Sequence, residues 1–179
     1  MSGMMSVTGY PDSPPVKVSI PIGDLSAGMF AAYGVLSAYI HRLKTGQGQV
    51  VETSLLESAI ALTVWESAEL WGSAQTPQPK GSAHRMVAPY QALATSDGYV
   101  NFASGNQSIW ERFCNAAGLE RLLNDPRFAS NPERVKHYQE LATELEFATI
   151  TKTSAEWLAQ CLDIGVPAGP IYNMAEVYQ

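Results

Sequence analysis

Positive charge is scarce in this sequence: Lys and Arg together number 11 against 17 Asp and Glu, for a formal net charge of −6. That balance excludes the broad basic surface by which proteins hold nucleic acid or anionic lipid. Cysteine is scarcer still. Cys114 and Cys161 lie far apart and share no metal-ligand spacing, which predicts reduced thiols buried in helices rather than a disulfide or a zinc site. The opening residues, Met1 to Pro15, carry neither a basic segment nor a long apolar one, so they do not read as a secretory signal, and a reducing compartment such as the cytoplasm is expected. Long apolar runs are missing too. The longest, Leu25 to Ile40, is interrupted by Ser26, Gly28, Gly34 and Ser37 and falls short of the roughly 20 apolar residues of a spanning helix, so no membrane partner is expected.

What is present suffices for a folded core: 179 residues, 46% of them hydrophobic, which fits one domain or a small pair. After an irregular, proline-containing approach, Leu25 to about Lys44 carries apolar and small residues on every face, the pattern of a helix covered on all sides. His41, Arg42 and Lys44 meet the negative end of its dipole, and Gly46 is placed to stop it. "QVVETS", Gln49 to Ser54, predicts a short strand, and "SLLE" at Ser54 to Glu57 is a capping box opening a helix to about Trp71. Helix, glycine turn, strand and helix together make α/β layering.

Gly72 to Gly81 is polar and contains Gly and Pro, the composition of a linker. Beyond it, Ala88 to Ser104 predicts a hairpin around Ser96-Asp97-Gly98. Trp110, Phe113, Cys114 and Ala117 then recur at helical spacing before Gly118. Asn131-Pro132 reads as an N-cap and first helical residue, with Val135, Tyr138, Leu141, Ala142 and Leu145 as the core stripe. A capping box at Thr153 to Glu156 places Trp157, Leu158, Cys161 and Leu162 on one face. "IGVPAGPIYN" leaves as extended chain, and Asn173 starts one more helix. The four tryptophans, Trp65, Trp71, Trp110 and Trp157, suit core or linker packing. His41 and His137 read as surface helix residues.

Asp24 is the one carboxylate between Val18 and Val51. As an isolated residue it is a good helix N-cap. It also stands where unpaired N–H groups and the positive dipole end favour a negatively charged ligand, and Gly23 beside it has no β-carbon to keep a bulky ligand from the backbone. Capping and chemistry are compatible.

The run "SGMMSVTG…PVKV…PIGDLSAGM…TGQGQVVETSLLESA", followed by "RMVAPYQALATSDGYV", "GNQSIWERFC", "DPRF" and "GVPAGPIYNMAEV", resembles the family III CoA-transferases, the formyl-CoA transferase or CaiB/BaiF type. The resemblance covers essentially the whole chain and rests most on "GDLSAG" and "TGQGQ" in that order. It matches only the middle of the family pattern, so Met1 resembles either a methionine internal to a longer reading frame or the start of a truncated chain. The implied fold is α/β and α+β: part of a large nucleotide-binding-type domain at residues 1–54 with the catalytic Asp, a linker helix and linker at 55–80, a complete small α+β domain at 81–164, and the start of a return linker at 165–179. Two such chains form an interlocked homodimer in the family.

The resemblance also implies the chemistry. Asp24 matches the family's nucleophile, which passes CoA between carboxylic acids through an aspartyl anhydride and an aspartyl-CoA thioester. Coenzyme A and acyl-CoA are substrates, and no permanent cofactor is implied. Most CoA-binding residues are expected outside this chain, so the chain alone is expected to be inactive. The segment around Gly81, His84 and Arg85 corresponds to a Gly-containing loop of the small domain, although consecutive glycines are absent here. His84 and Arg85 are candidates for contact with an anionic substrate, or solvated loop residues. Two alternatives stand beside this reading: a 2-methylacyl-CoA racemase-like enzyme on the same fold, and a truncated, non-catalytic interaction module.

Overall fold

The computed structural model describes all residues, 1–179, which divide into two compact units, Met1–Gly81 and Ser82–Gln179. Helices and one small antiparallel sheet make up the secondary structure. No helix is long and apolar enough to cross a membrane.

The first unit is all helix and loop: α1 (Met4–Val7), α2 (Ile22–Thr45), α3 (Leu55–Ala61) and α4 (Val64–Ser73). Small residues let α2 and α3 approach closely, with Ser26 and Ala27 of the one and Ser58 and Ala59 of the other buried. Gly34 is needed for the same reason. A Cβ there would lie 2.6 Å from Cγ1 of Val51, so the 47–54 segment can cross α2 only over a glycine. Gly46, at φ 76°, closes α2 by donating its N–H to Arg42 O at 2.8 Å.

Four expectations change here. Gln49–Ser54 forms no strand, because no other strand exists in residues 1–81 to pair with it. The helix opened by Ser54 breaks at Leu62–Thr63, where the Thr63 hydroxyl donates back to Ile60 O at 2.7 Å. Helix α2 is not covered on all sides. Leu25, Met29, Tyr33, Leu36, Tyr39, Ile40 and Leu43 are exposed, since α3 and the 47–54 segment cover only the small-residue side. Trp65 and Trp71 of α4 are likewise exposed rather than core, at 52% and 82%.

The second unit holds β1 (Tyr90–Ala94), β2 (Tyr99–Ala103), α5 (Gln107–Ala117), a 3-10 turn (Glu120–Asn124), α6 (Asn131–Lys136), α7 (Tyr138–Thr149), α8 (Ser154–Asp163), β3 (Ala168–Pro170) and α9 (Met174–Val177). The strands lie in the order β1-β2-β3, all antiparallel, with Tyr90 opposite Ala103, Ala94 opposite Tyr99 and Val100 opposite Pro170. The hairpin turn is where Asp97 and Gly98 predict it, with Thr95 N–H bonded to Gly98 O at 2.9 Å. Within the "IGVPAGPIYN" run, Ala168–Pro170 forms the third strand of this sheet.

One face of the sheet packs on helices around Leu93, Val100, Phe102, Trp110, Phe113, Leu122, Phe128, Leu141, Leu145 and Trp157. Phe102 meets Phe113 at 5.1 Å and the edge of Trp157 at 5.9 Å between ring centroids. Both cysteines are buried, and desolvation pushes the thiol of Cys114 up to about 12 and that of Cys161 up to about 11. The capping box at Thr153 and Glu156 is complete, as is the one at Asn173 and Glu176.

Three helical expectations in this unit are corrected. Ser130, not Asn131, is the N-cap of α6, which frees the Asn131 amide for contacts described below. The helix breaks at His137, which is half-buried between Glu133 and Glu140 instead of lying within a continuous surface helix. Leu162 leaves the predicted core face, being 83% exposed: it follows Cys161, and the step of about 100° per residue carries it away from Trp157 and toward solvent.

Candidate active site

The first turn of α2 sets the environment of Asp24. Pro21 is the N-cap and has no side-chain acceptor to offer, so Asp24 stands two residues past the first helical residue rather than at the cap. Ile22 N–H turns back to Ile20 O at 2.8 Å, and Leu25 N–H takes Pro21 O at 3.0 Å. Between them, the N–H groups of Gly23 and Asp24 have no acceptor in the chain. The Asp24 carboxylate is exposed, caps nothing and joins no ion pair. The N-cap role expected for an isolated Asp is thus not its role, and an uncommitted carboxylate remains at the positive end of a 24-residue helix.

Gly23 faces its own chain: a Cβ would meet Leu55 O at 3.8 Å, an ordinary contact. A hollow of about 270 Å³ in the same unit is bordered by Ser6, Val7, Ile60, Thr63, Glu66 and Leu70, and Asp24 does not line it. Gly81 has a local steric reason to be glycine, since its φ is 62°, its N–H bonds Gly9 O at 2.8 Å and a Cβ would fall 2.8 Å from the Tyr10 ring.

His84 and Arg85 belong to the second unit, at the end of the sheet away from the hairpin turn. His84 donates its backbone N–H to Tyr90 O at 2.8 Å, lays its ring parallel to Tyr90 with centroids 5.1 Å apart, and accepts the Met86 N–H on Nδ1 at 3.1 Å. Arg85 is only 9% exposed, which corrects the reading of a solvated loop side chain. Sequence reasoning missed Asn131 and Arg134, which hold this segment through Met86 O and both backbone groups of Ala88. A buried guanidinium leaves no mark in a hydrophobic pattern, and the Asn131-Pro132 pair resembles a helix start.

The profile of CoA-transferase family III matches residues 1–179, and the chain belongs to that family. It is 32% identical over 178 residues to the succinate–glutarate CoA-transferase of Agrobacterium fabrum, covering 99% of this chain and 44% of the relative. It is 32% identical to the acetyl-CoA:oxalate CoA-transferase of Acetobacter aceti, covering 98% of this chain and 46% of the relative. Among solved structures, a CAIB/BAIF family protein from Brucella suis superposes with a TM-score of 0.78 at 34% identity, over 99% of this chain and 47% of that one. The chain spans less than half the length of the curated relatives it matches.

Proposed function

We propose that this chain serves in an acyl-CoA:carboxylate CoA-transferase with Asp24 as the nucleophile. The observation that carries the reading is the uncommitted Asp24 carboxylate beside two unpaired N–H groups, in a chain matched end to end by the family profile. An Asp24 oxygen attacks the thioester carbonyl of the donor; the C–S bond breaks, CoA thiolate leaves and a mixed anhydride forms. The thiolate then attacks the aspartyl carbonyl, the donor acid departs as carboxylate, and Asp24 carries CoA as a thioester. An acceptor carboxylate attacks that thioester to give a second anhydride and free thiolate. Attack of the thiolate on the acceptor's acyl carbon yields the new acyl-CoA and restores Asp24. No net oxidation occurs, and each step exchanges one acyl bond for another.

Small carboxylic acids are the proposed donors and acceptors, in keeping with the relatives named for succinate, glutarate and oxalate. His84 and Arg85 are proposed to meet the acid group, and an interlocked homodimer is the proposed assembly. Gly81 is proposed to act as the turn that begins the loop, and Gly23 to keep the nucleophile's backbone open. The division into a partial large domain at 1–54, a linker at 55–80, a small domain at 81–164 and a return linker from 165 is proposed for the whole protein. The 179-residue chain by itself is proposed to be inactive. Incubating the complete gene product with succinyl-CoA and glutarate, then trapping with hydroxylamine, tests the assignment: the hydroxamate is expected on Asp24, and a labelled protein modified elsewhere overturns it.

A further inference from the structure

The two edges of the sheet in the second unit are unequal. Strand β3 is three residues long and ends in Pro170, which has no N–H, and Pro167 just before it already gives its carbonyl to Ala103 N–H at 2.9 Å. That edge offers little to another strand. Strand β1, Tyr-Gln-Ala-Leu-Ala, has no charge, Pro or Gly, which is the kind of edge on which a further strand is readily added. Its register fixes which groups face outward. Thr95 N–H bonds Gly98 O at 2.9 Å and Ser104 N–H bonds Pro89 O at 2.8 Å, so Pro89, Gln91, Leu93 and Thr95 turn their backbone groups toward β2. Tyr90, Ala92 and Ala94 turn theirs away from the sheet.

The outward groups are met from both ends of the strand. At its start, Tyr90 O accepts the His84 N–H at 2.8 Å and Ala92 N–H donates to Ser82 Oγ at 3.1 Å. At its end, α7 takes over: Ala94 N–H donates to Glu146 Oε1 at 3.3 Å and Ala94 O accepts the Thr149 hydroxyl at 2.6 Å. Just beyond the strand, Ser96 N–H donates to Lys152 O at 2.9 Å. Glu146 and Thr149, three residues apart, share one flank of α7, while Leu141 and Leu145 serve the core. Water would satisfy an exposed edge without the rotamer freedom lost in holding a Glu side chain in place. Water does not keep another strand away. A side chain anchored on a helix and bonded to an edge N–H stands where the next strand would have to lie.

We infer that Ser82, Glu146 and Thr149 guard the outer edge of β1 against strand addition, and that the partner they exclude is β1 of a second copy of this chain. Such a pair would be antiparallel, as each pair in this sheet is. The guard works by occupying the outward N–H and C=O groups, not by charge. All of its parts lie within Ser82–Gln179, and it stands apart from the transferase reading.

The test follows amide exchange at Ala92 and Ala94 in the 179-residue chain, at low and at high protein concentration. It compares wild type with Glu146→Gln, Glu146→Ala and the triple variant Ser82→Ala/Glu146→Ala/Thr149→Val. Gln keeps an acceptor for Ala94, and Val keeps the shape of Thr149 without its hydroxyl. Association through another surface, such as the exposed side of α2, leaves these two amides unchanged. In wild type and Glu146→Gln their exchange is expected not to depend on concentration. In the triple variant it is expected to be fast in dilute solution and about tenfold or more slower in concentrated solution, as a second copy covers the edge. Glu146→Ala is expected to show the same change at Ala94. If Leu145 and Cys161 lose protection in the triple variant, it has unfolded, and Glu146→Ala decides by itself. A folded triple variant whose exchange is the same at both concentrations overturns the inference, as does a wild type whose exchange slows with concentration. A Glu146→Gln chain that slows with concentration makes charge the guard and overturns it as well.

Discussion

The Asp97 carboxylate accepts both the backbone N–H and the hydroxyl of Ser154, at 2.8 and 2.9 Å, and so ties the hairpin turn to the start of α8. The Ser154 backbone and hydroxyl, then Thr95, hold the Asp97 pKa below its ordinary 3.8. A depressed carboxyl pKa contributes stability that is fully present above the ordinary value and lost as pH falls through the lower folded one. Asp125, Glu140 and Glu156 are shifted in the same direction, so the acid limb is shared. Thermal unfolding from roughly pH 7 to pH 2 is expected to show Asp97→Asn less stable than wild type at neutral pH, with the difference closing in acid. A difference that persists unchanged in strong acid refutes the tie.

Asp24→Asn and Asp24→Ala are expected to abolish CoA transfer in the complete gene product, by on the order of 10⁴-fold or more, as loss of a covalent nucleophile does. The fold is expected to survive, because the carboxylate makes no hydrogen bond and caps nothing. Circular dichroism and a thioester-exchange assay check the two halves; appreciable turnover by the Ala variant removes Asp24 from the mechanism.

Trp157 and Leu162 show how far the sequence could be read. Both lie on the stripe predicted after the Thr153 capping box, yet Trp157 is sealed in the core while Leu162 is in solvent. Capping chemistry is local, so the boxes at Thr153 and Asn173, the Asp97-Gly98 turn and the glycine stop at Gly46 were all readable from neighbours in sequence. Burial depends on segments distant in sequence. That is why the Gln49–Ser54 strand, which needs a partner, and the uninterrupted helix through His137 were misread. At the candidate site, Asp24 stood out as a lone charge in an apolar run. Arg134 did not, because its acceptors, Ala88 and Gln107, are 46 and 27 residues away. Trp157→Ala is expected to cost about 3–5 kcal/mol and Leu162→Ala no more than about 0.5 kcal/mol, as read by urea unfolding. Equal costs contradict this division of the stripe.

Gly34 sets two effects against each other. Ala in place of a mid-helix Gly gains about 1 kcal/mol from propensity, but its Cβ would lie 2.6 Å from a Val51 methyl that cannot swing away as a long side chain would. Overpacking of this kind costs about 1–3 kcal/mol, so Gly34→Ala is expected to be destabilising overall. The Gly34→Ala/Val51→Ala pair removes the clash and is expected to recover most of the loss. A single variant more stable than wild type in thermal unfolding shows that the 47–54 segment does not cross α2 so closely.

The last expectation concerns the 179-residue chain on its own. Along α2 only Ser26 and Ala27 are buried, while Leu25, Met29, Tyr33, Leu36, Tyr39, Ile40 and Leu43 stand exposed. Each Å² of apolar surface left in water forgoes about 25 cal/mol, and a patch of this extent favours association. The second unit has its own closed core, so its amides are expected to exchange more slowly than those of Leu25–Lys44. The proposed inactivity of these residues alone follows if positioning of the thioester, which supplies a large share of catalysis, needs the rest of the protein. Light scattering is expected to report particles larger than one chain, calorimetric titration with CoA to give little or no heat, and hydrogen exchange to find α2 less protected than α7 and α8. A monodisperse monomer that binds CoA at micromolar strength, with α2 the most protected helix, contradicts all three.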